Sequence, residues 1–306
     1  MSTVLLGDVG GTRARFALAR GRGAPGPVRE YANDDFSSFE QLLSAHCGTL
    51  DAEPQRCLLA VAGPVRDGEV HMTNRGWRLA ESALAAACGF AQVHIVNDFE
   101  ALAWATLDFA SGDVDWQGKA ELEPAAARVV VGPGTGLGVA ALLPAGDGWT
   151  VAAGEGGHVT LAASTAEEAG VIAGLRDRYG HCSAERLLSG PGLVELAAAL
   201  GYGDQSPAAV GAWIAAGDSR GAHIARVFAE LLGTVAGDLA LTFAARGGVY
   251  LAGGILPRLG QGFPMAAFRQ RFVAKGRCAG YLRAVPVGTV VRPHPAFVGL
   301  LRLSQD

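Results

Sequence analysis

The sequence predicts an α/β protein, and three features of the chain support that prediction. Short apolar runs alternate with longer segments of helical periodicity from one end of the chain to the other. Two glycine-rich turns, at Gly7–Thr12 and Gly132–Gly138, each lie between two apolar runs, which is the pattern of strand, turn and strand. The second turn repeats the first, which indicates a weak internal duplication. With 306 residues, half of them hydrophobic, the chain is long enough for two domains.

The first half of the chain is predicted to alternate strands and helices. The strands are predicted at short apolar runs, namely Val4–Leu6, Phe16–Leu18, Cys57–Ala62 and Val93–Val96. The helices are predicted at Phe36–His46, Glu81–Cys88 and Phe99–Leu107. A turn is predicted at Asn74–Trp77. The stretch Ala110–Pro124 mixes acidic residues with glycine, which indicates the first domain boundary.

The second half is predicted to continue the alternation. Its strands are expected at Val129–Val131, Val139–Leu143, Val249–Leu251 and Pro286–Val291. Its helices are expected at Ala166–Tyr179, Ala184–Leu188, Leu193–Leu200, Ser219–Ala245, Met265–Ala274 and from Pro295 onward. In the longest of these, the apolar residues follow the i, i+3, i+4, i+7 spacing of a helix that faces a core.

Composition excludes several classes of protein. A formal net charge of −4 with 18% charged residues provides no basic surface for nucleic acid. No basic and apolar leader precedes Val4, and no apolar run approaches the ~20 residues that span a bilayer, so we expect no signal peptide and no membrane. The five cysteines show no C-x-x-C spacing, which is typical of reduced thiols in a cytoplasmic protein.

The two glycine-rich turns predict phosphate binding. The residues that carry this prediction are Gly7, Asp8, Val9, Gly10, Gly11 and Thr12 in the first turn, and Gly134, Thr135 and Gly136 in the second. Glycine lets backbone N–H groups approach an anion closely, and threonine adds a hydroxyl donor. A dinucleotide-binding loop would open a helix, and a Walker loop would contain lysine, so neither fits. Two ordinary β-hairpins remain the alternative.

Asn97 and Asp98 stand between a predicted strand and a predicted helix. Ligands collect at the carboxyl ends of strands in open parallel sheets. A carboxylate there can accept the proton of an attacking hydroxyl group, as the general base of a phosphoryl transfer does. The alternative is structural, since Asn and Asp are also preferred N-caps.

Three further side chains are candidates for binding hydroxyl groups. Glu155 and His158 lie in a glycine-rich loop after a strand, and Glu185 lies in the first turn of a helix. A solvated turn is the alternative for the first two, and a favourable interaction with the helix dipole is the alternative for Glu185. A zinc site at His158 lacks further ligands, because only His181 and Cys182 lie nearby.

In their order along the chain, these residues resemble bacterial glucokinases of the proteobacterial type, within the superfamily of sugar kinases, actin and heat-shock-chaperone ATPases. The segments that carry the resemblance are LLGDVGGTRARFAL, MTNRGW, VNDFEALA, GPGTGLGVA, GEGGHVTLA, SAERLLSGPGL, GGVYLAGGILPR and KGRCAGYL. Together, in this order, they are highly specific and cover nearly the whole chain.

The resemblance implies two ribonuclease-H-like domains of the actin-like ATPase type, with a cleft between them. The small domain would comprise residues 1–108 and 290–306, and the large domain residues 109–289. Asp98 would be the catalytic base for the sugar 6-hydroxyl. The sugar ligands would be Asn97, Glu155, His158 and Glu185, with Asp98, Asn74, Gly63 and Pro64 lining the pocket.

The resemblance also implies the reaction and its partners. The chain would be a transferase of glycolysis that uses ATP and Mg²⁺ to phosphorylate D-glucose at the 6-hydroxyl, and it would form a cytoplasmic homodimer. Asp8 would hold Mg²⁺ through water, and Gly253–Gly254 would form the turn on the adenosine side. A kinase for another hexose or an amino sugar remains an alternative, as does a sugar-sensing regulator of the same fold.

One residue departs from the family pattern. Arg13 follows the first Gly-Gly-Thr, where relatives usually carry asparagine, whereas Arg15 keeps the usual pattern. A cation added beside the phosphates would aid nucleotide binding or alter the choice of phosphoryl donor.

Overall fold

A computed structural model describes residues 3–21, 23–72, 75–119 and 121–305. Its strands are β1 (Thr3–Val9), β2 (Arg13–Arg20), β3 (Arg29–Ala32), β4 (Arg56–Val61), β5 (Val65–Arg66), β6 (Glu69–Met72), β7 (Trp77–Ala80), β8 (Gln92–Asn97), β9 (Val114–Trp116), β10 (Arg128–Pro133), β11 (Leu137–Ala145), β12 (Gly148–Gly154), β13 (Val249–Leu251) and β14 (Val287–Val290).

The helices of the described residues complete the mixed α/β fold. They are α1 (Phe39–Cys47), α2 (Glu81–Cys88), α3 (Asp98–Ala105), α4 (Ala166–Tyr179), α5 (Ala184–Leu187), α6 (Gly190–Ala197), α7 (Pro207–Ala215), α8 (Ser219–Thr242), α9 (Ile255–Leu259), α10 (Met265–Val273), α11 (Ala279–Ala284) and α12 (Ala296–Leu303). Over the residues that the structure covers, none of these helices is both long enough and apolar enough to cross a bilayer.

The chain divides into two compact units. The first comprises residues 1–113, 151–153 and 292–306, and the second comprises residues 114–150 and 154–291.

The first unit is built on a sheet with strand order β3-β2-β1-β4-β8. β1 and β2 form the predicted antiparallel hairpin, whereas β1, β4 and β8 run parallel. One face of the sheet carries α1 and α2 with the small sheet β5-β6-β7, and the other carries α3 and α12. The carboxyl ends of the parallel strands therefore lie at one edge, between two packed cores.

The second unit is built on a sheet with strand order β12-β11-β10-β13-β14-β9. β10 and β11 form the second predicted hairpin, and β10, β13 and β14 run parallel. The long helix α8 is the centre of its core, with Ile224, Phe228 and Leu232 fully buried. In both sheets, then, an antiparallel hairpin leads into parallel strands in an equivalent order.

Most predicted elements are confirmed, and the differences lie at their ends. The predicted helix at Phe36–His46 begins only at Phe39, because Ser38 is its N-cap and accepts a hydrogen bond from the backbone N–H of Gln41. The predicted helix at Ser219–Ala245 ends at Thr242, because Ala244 has a φ of 51° and leaves the helix. The predicted helix at Leu193–Leu200 instead covers Gly190–Ala197, with Ser189 as its N-cap, and a π-helical turn follows.

Candidate functional site

In the first unit, the carboxyl ends of three strands bring three predicted segments to one edge of the sheet. Val9 of β1, Val61 of β4 and Asn97 of β8 are partners in register. The first glycine turn, the Gly63–Pro64 turn and Asp98 follow these positions along the chain. Since adjacent strands lie about 4.8 Å apart, β1 and β8 are separated by roughly 10 Å. The predicted phosphate turn and the predicted base therefore share one edge.

Asn97 and Asp98 have different structural roles at this edge. Asn97 is the N-cap of α3, because its Oδ1 accepts hydrogen bonds from the backbone N–H groups of Phe99 at 2.9 Å and Glu100 at 3.2 Å. Its Nδ2 donates to the carbonyl oxygen of Gly63 at 3.0 Å. Asp98 is the first residue of α3 and is half-buried, with Oδ1 at 3.0 Å from the backbone N–H of Phe99. The structural alternative is therefore confirmed for Asn97, while the cap does not account for Asp98.

The first glycine turn carries a chain of alternating charges. Asp8 lies opposite Arg15 in the hairpin, with Asp8 Oδ2 3.6 Å from Arg15 Nη1. Arg15 Nε donates to Glu30 on β3 at 2.6 Å, and Arg13 donates to the same carboxylate. Burial raises the pKa of Asp8, and the charges of Arg15 and His294 oppose that rise. The extra cation of Arg13 is thus already paired with Glu30.

Sequence reasoning missed a residue that supports the first turn. Asn33 is fully buried, and its Nδ2 donates to the carbonyl oxygen of Gly10 at 2.8 Å. Its backbone N–H donates to the carbonyl oxygen of Thr12 at 2.9 Å. Twenty-three positions separate Asn33 from Gly10, so no local pattern indicates the contact.

In the second unit, two loops bring Glu155, His158 and Glu185 together. The first loop follows β12, and the second runs into α5 with Ser183 as its N-cap. The backbone N–H of Ala184 donates to the carbonyl oxygen of Val159 at 2.9 Å, which joins the two loops. His158 Nε2 lies 3.7 Å from Glu155 Oε2 and 3.9 Å from Glu185 Oε1. These distances are too long for hydrogen bonds.

The three side chains are suited to binding hydroxyl groups. The side chains of His158 and Glu155 are 58% and 59% exposed, and that of Glu185 is 31% exposed. Carboxylates accept hydrogen bonds, and a histidine ring can donate or accept one. The two carboxylates therefore provide hydrogen-bond acceptors, and the imidazole between them can either donate or accept a hydrogen bond.

The second glycine turn and a third glycine turn, at Gly253–Gly254, lie side by side. Val131 of β10 and Leu251 of β13 are partners in register, so both turns follow the carboxyl ends of adjacent parallel strands. A Cβ at Gly132 would lie 2.6 Å from the carbonyl carbon of Ala252, and one at Gly253 would lie 2.4 Å from the carbonyl oxygen of Pro133. Only glycine permits the two backbones to approach this closely. Gly254 is exposed beside them.

Two remaining predictions concern metal binding and Asn74. Within the parts of the chain that the structure covers, no group of three or more His, Cys, Asp or Glu side chains is arranged to hold a metal ion. Asp8 supplies one half-buried carboxylate, which fits Mg²⁺, because that ion keeps several waters and takes further ligands from substrate phosphates. Asn74 lies outside the described residues.

Comparison with known proteins covers nearly the whole chain. The family model described as Glucokinase matches residues 5–306. A protein from Ralstonia nicotianae named glucokinase is 41% identical over 97% of this chain and 93% of its own length. A crystal structure of glucokinase from an Antarctic psychrotroph matches with a TM-score of 0.88 and 32% identity over 100% of both chains. A ROK family glucokinase from Streptomyces griseus, solved with glucose and AMPPNP, has the same fold with a TM-score of 0.66 at 20% identity over 100% of both chains.

Proposed function

This chain belongs to the glucokinase family, and we propose that it transfers the terminal phosphoryl group of ATP to the 6-hydroxyl group of D-glucose. The observation that carries the proposal is the shared edge of the first sheet, where the first glycine turn and Asp98 lie two strands apart. That spacing of roughly 10 Å leaves room for a hydroxymethyl group and the terminal phosphate between them. A neighbour of the same fold was crystallised with glucose and AMPPNP.

We infer that each unit is a ribonuclease-H-like domain. The equivalent strand orders support this inference, since β3-β2-β1-β4-β8 in the first sheet corresponds to β12-β11-β10-β13-β14 in the second. The small domain at residues 1–108 and 290–306, the large domain at residues 109–289 and the cleft between them stay predictions.

Glucose would be bound through its hydroxyl groups. We propose Glu155, His158 and Glu185 as ligands, because they expose acceptors and an imidazole within a few ångströms of each other. Sugar-binding roles for the Gly63–Pro64 turn, Asn97 and Asn74 stay predictions from the family resemblance. Since both amide atoms of Asn97 already bond to backbone, its main task is to hold the Gly63 turn against the start of α3.

Asp98 would act as the general base. Its place at the first residue of α3 fixes the carboxylate relative to β8, while Asn97 takes over the capping of the helix. A carboxylate held in this way can orient the 6-hydroxyl group and accept its proton as the hydroxyl oxygen attacks the terminal phosphorus of ATP. ADP then leaves with the bridging oxygen.

The first and the second glycine turn would each bind phosphate groups of ATP. The exposed Thr12 and Thr135 would add hydroxyl donors to the backbone N–H groups there. Asp8 would hold Mg²⁺ through water, and the bound ion would neutralise phosphate charge. The raised pKa of Asp8 reflects burial, which a nearby cation would offset.

The adenine base would lie in a pocket of the second unit. A cavity of about 170 Å³ adjoins both the second and the third glycine turns, because Gly190 donates to the carbonyl oxygen of Gly134 at 2.8 Å and Ile255 follows Gly254. Its lining is mostly apolar and consists of Gly190, Leu193, Pro207, Val210, Gly211, Ile214, Ala215, Ile255, Arg258 and Leu259. Apolar walls of this kind suit a flat, uncharged ring.

Two further expectations remain proposals that rest on the family resemblance. One is assembly as a homodimer. The other is a cytoplasmic location, with which the five free cysteines are consistent.

A panel of hexoses with ATP tests the proposed function. Purified protein is assayed for ADP release with glucose, mannose, fructose and N-acetylmannosamine, and we expect glucose to give the highest kcat/KM. Sites built to bond a hydroxyl group reject analogues that lack it by large factors. Faster turnover of fructose or N-acetylmannosamine would favour a kinase for another sugar. Sugar binding without turnover of any hexose would favour a regulator.

A further inference from the structure

The two carboxylate oxygens of Glu185 face different parts of the second unit. Oε2 accepts a hydrogen bond from the backbone N–H of Leu137 at 2.8 Å, and Leu137 directly follows Gly136 in the second glycine turn. Oε1 lies 3.9 Å from His158 Nε2, on the side of the proposed sugar ligands. One side chain therefore touches both the turn proposed for phosphate and the group proposed for sugar.

The Glu185 carboxylate occupies the space that a side chain at position 136 would take. A Cβ on Gly136 would lie 2.4 Å from Glu185 Oε2 and 3.1 Å from its carboxyl carbon. Real Cβ atoms essentially never approach another atom within 3.0 Å, so any larger residue would push the carboxylate away. The φ angle of Gly136 is outside the left-handed region, so an alanine here would displace the carboxylate without straining the backbone.

The carbonyl group of Leu137 is in close contact with Gly157. Leu137 is 4% exposed, and a Cβ on Gly157 would lie 2.0 Å from its carbonyl oxygen. Gly157 belongs to the loop that carries Glu155 and His158. The loop with Glu155 and His158 and the first turn of α5 with Glu185 thus both contact Leu137 in the phosphate turn.

We propose that Glu185 is a positioning residue for the second glycine turn, and that Gly136 in turn is a determinant of sugar affinity. The hydrogen bond from Leu137 ties the backbone of the turn to the carboxylate that the sugar contacts. A change on either side then alters the other, and such coupling is reciprocal by thermodynamic necessity. The inference rests on the proposed function, because it takes the sugar and phosphate ligands from there.

A pair of substitutions at Glu185 separates positioning from sugar contact. In Glu185→Gln the amide oxygen still accepts from the Leu137 N–H, whereas Glu185→Ala leaves that N–H without its partner. Binding of AMPPNP is measured by calorimetry in the absence of glucose. We expect the affinity for AMPPNP to fall about 10-fold in Glu185→Ala and to stay within about 3-fold in Glu185→Gln, although both variants bind glucose poorly.

Two glycines of the second unit provide an independent test. Gly136→Ala is compared with the matched control Gly148→Ala, whose added Cβ would meet nothing nearer than 3.9 Å. Glucose binding is measured without nucleotide. We expect its affinity to fall about 10-fold or more in Gly136→Ala and to stay within about 2-fold in Gly148→Ala. Thermal melts show whether each variant folds, and if Gly136→Ala does not fold, the Glu185 pair decides.

The outcomes distinguish this inference from the proposed function. Unchanged AMPPNP affinity in Glu185→Ala, or equal glucose affinity in the two glycine variants, would overturn the positioning role while leaving an active kinase. Failure of the unaltered protein to bind or phosphorylate glucose would overturn the proposed function itself.

Discussion

Gly299 holds the helix that carries Asp98 against its neighbour. It lies on α12, and an added Cβ would be 1.8 Å from the carbonyl oxygen of Ala101 and 2.7 Å from its carbonyl carbon, both on α3. Real Cβ contacts lie beyond 3.0 Å. In Gly299→Ala the two buried helices must therefore move apart by more than an ångström, and no change of rotamer can relieve a contact with backbone.

The expected cost follows from the nature of this contact. Overpacking a core destabilises by about 1–3 kcal/mol, and a backbone clash belongs at the upper end, near 3 kcal/mol. At about 2–4 °C per kcal/mol for a protein of this size, Tm should fall by roughly 6–12 °C. Since α3 begins at Asp98, kcat should fall as well.

Differential scanning calorimetry and a coupled activity assay measure both effects. The matched control is Gly170→Ala, because Gly170 lies inside α4 with no atom within 4 Å of an added Cβ. Replacing an exposed glycine inside a helix by alanine stabilises the helix by roughly 0.5–1 kcal/mol, so the control should be slightly more stable than the unaltered protein. A Tm for Gly299→Ala within 2 °C of the unaltered protein would refute the close packing of α3 and α12.

Three further predictions concern the first unit. Burial, with a smaller effect of the Arg29 charge, lowers the pKa of His46 to about 4, so between pH 6.5 and 4 the unfolded chain binds a proton that the folded chain does not. The free energy of unfolding is therefore highest above pH 6.5 and decreases as the pH is lowered, by about 2 kcal/mol from pH 7 to pH 5 in urea titrations. His46→Phe should remove this pH dependence. Asn97→Ala should cost about 1–2 kcal/mol, because α3 loses its cap and the carbonyl of Gly63 its donor, whereas unfolding curves that match the unaltered protein would contradict those two contacts. Arg13→Asn should leave the KM for ATP within about 2-fold, since the guanidinium is exposed and held by Glu30, and a larger rise would mean that it contacts the nucleotide.

Local sequence patterns predicted the helices whose ends are marked by residues close in the chain. The predicted bounds of α2 and α4 match the structure, because a left-handed glycine ends each helix, at Gly89 and Gly180. Strands β5, β6 and β7 were missed, since they span only two to four residues. Such short segments show too few alternating apolar and polar residues to predict a strand. The short helices α9 and α11, and α7 before α8, were missed as well.

The sequence predicted which elements carry the candidate residues better than it predicted their contacts. Glu185 was placed correctly in the first turn of a helix, whereas Asp98, which was predicted to precede the helix at Phe99, is the first residue of α3. The hydrogen bond between Leu137 and Glu185 spans 48 positions, and that between Asn33 and Gly10 spans 23. Contacts over such separations depend on how strands and loops pair in three dimensions, which no local pattern specifies.

Asp98→Asn tests the central claim most directly. The substitution keeps the size of the side chain, and the cap of α3 is supplied by Asn97, so the fold and the glucose affinity should remain close to those of the unaltered protein. Without the base, kcat should fall by roughly 10²-fold or more. Calorimetry with glucose and a coupled assay of turnover give the two values on the same preparation. Glucose binding with collapsed turnover is the predicted result, and turnover within a few-fold of the unaltered protein would contradict Asp98 as the catalytic base.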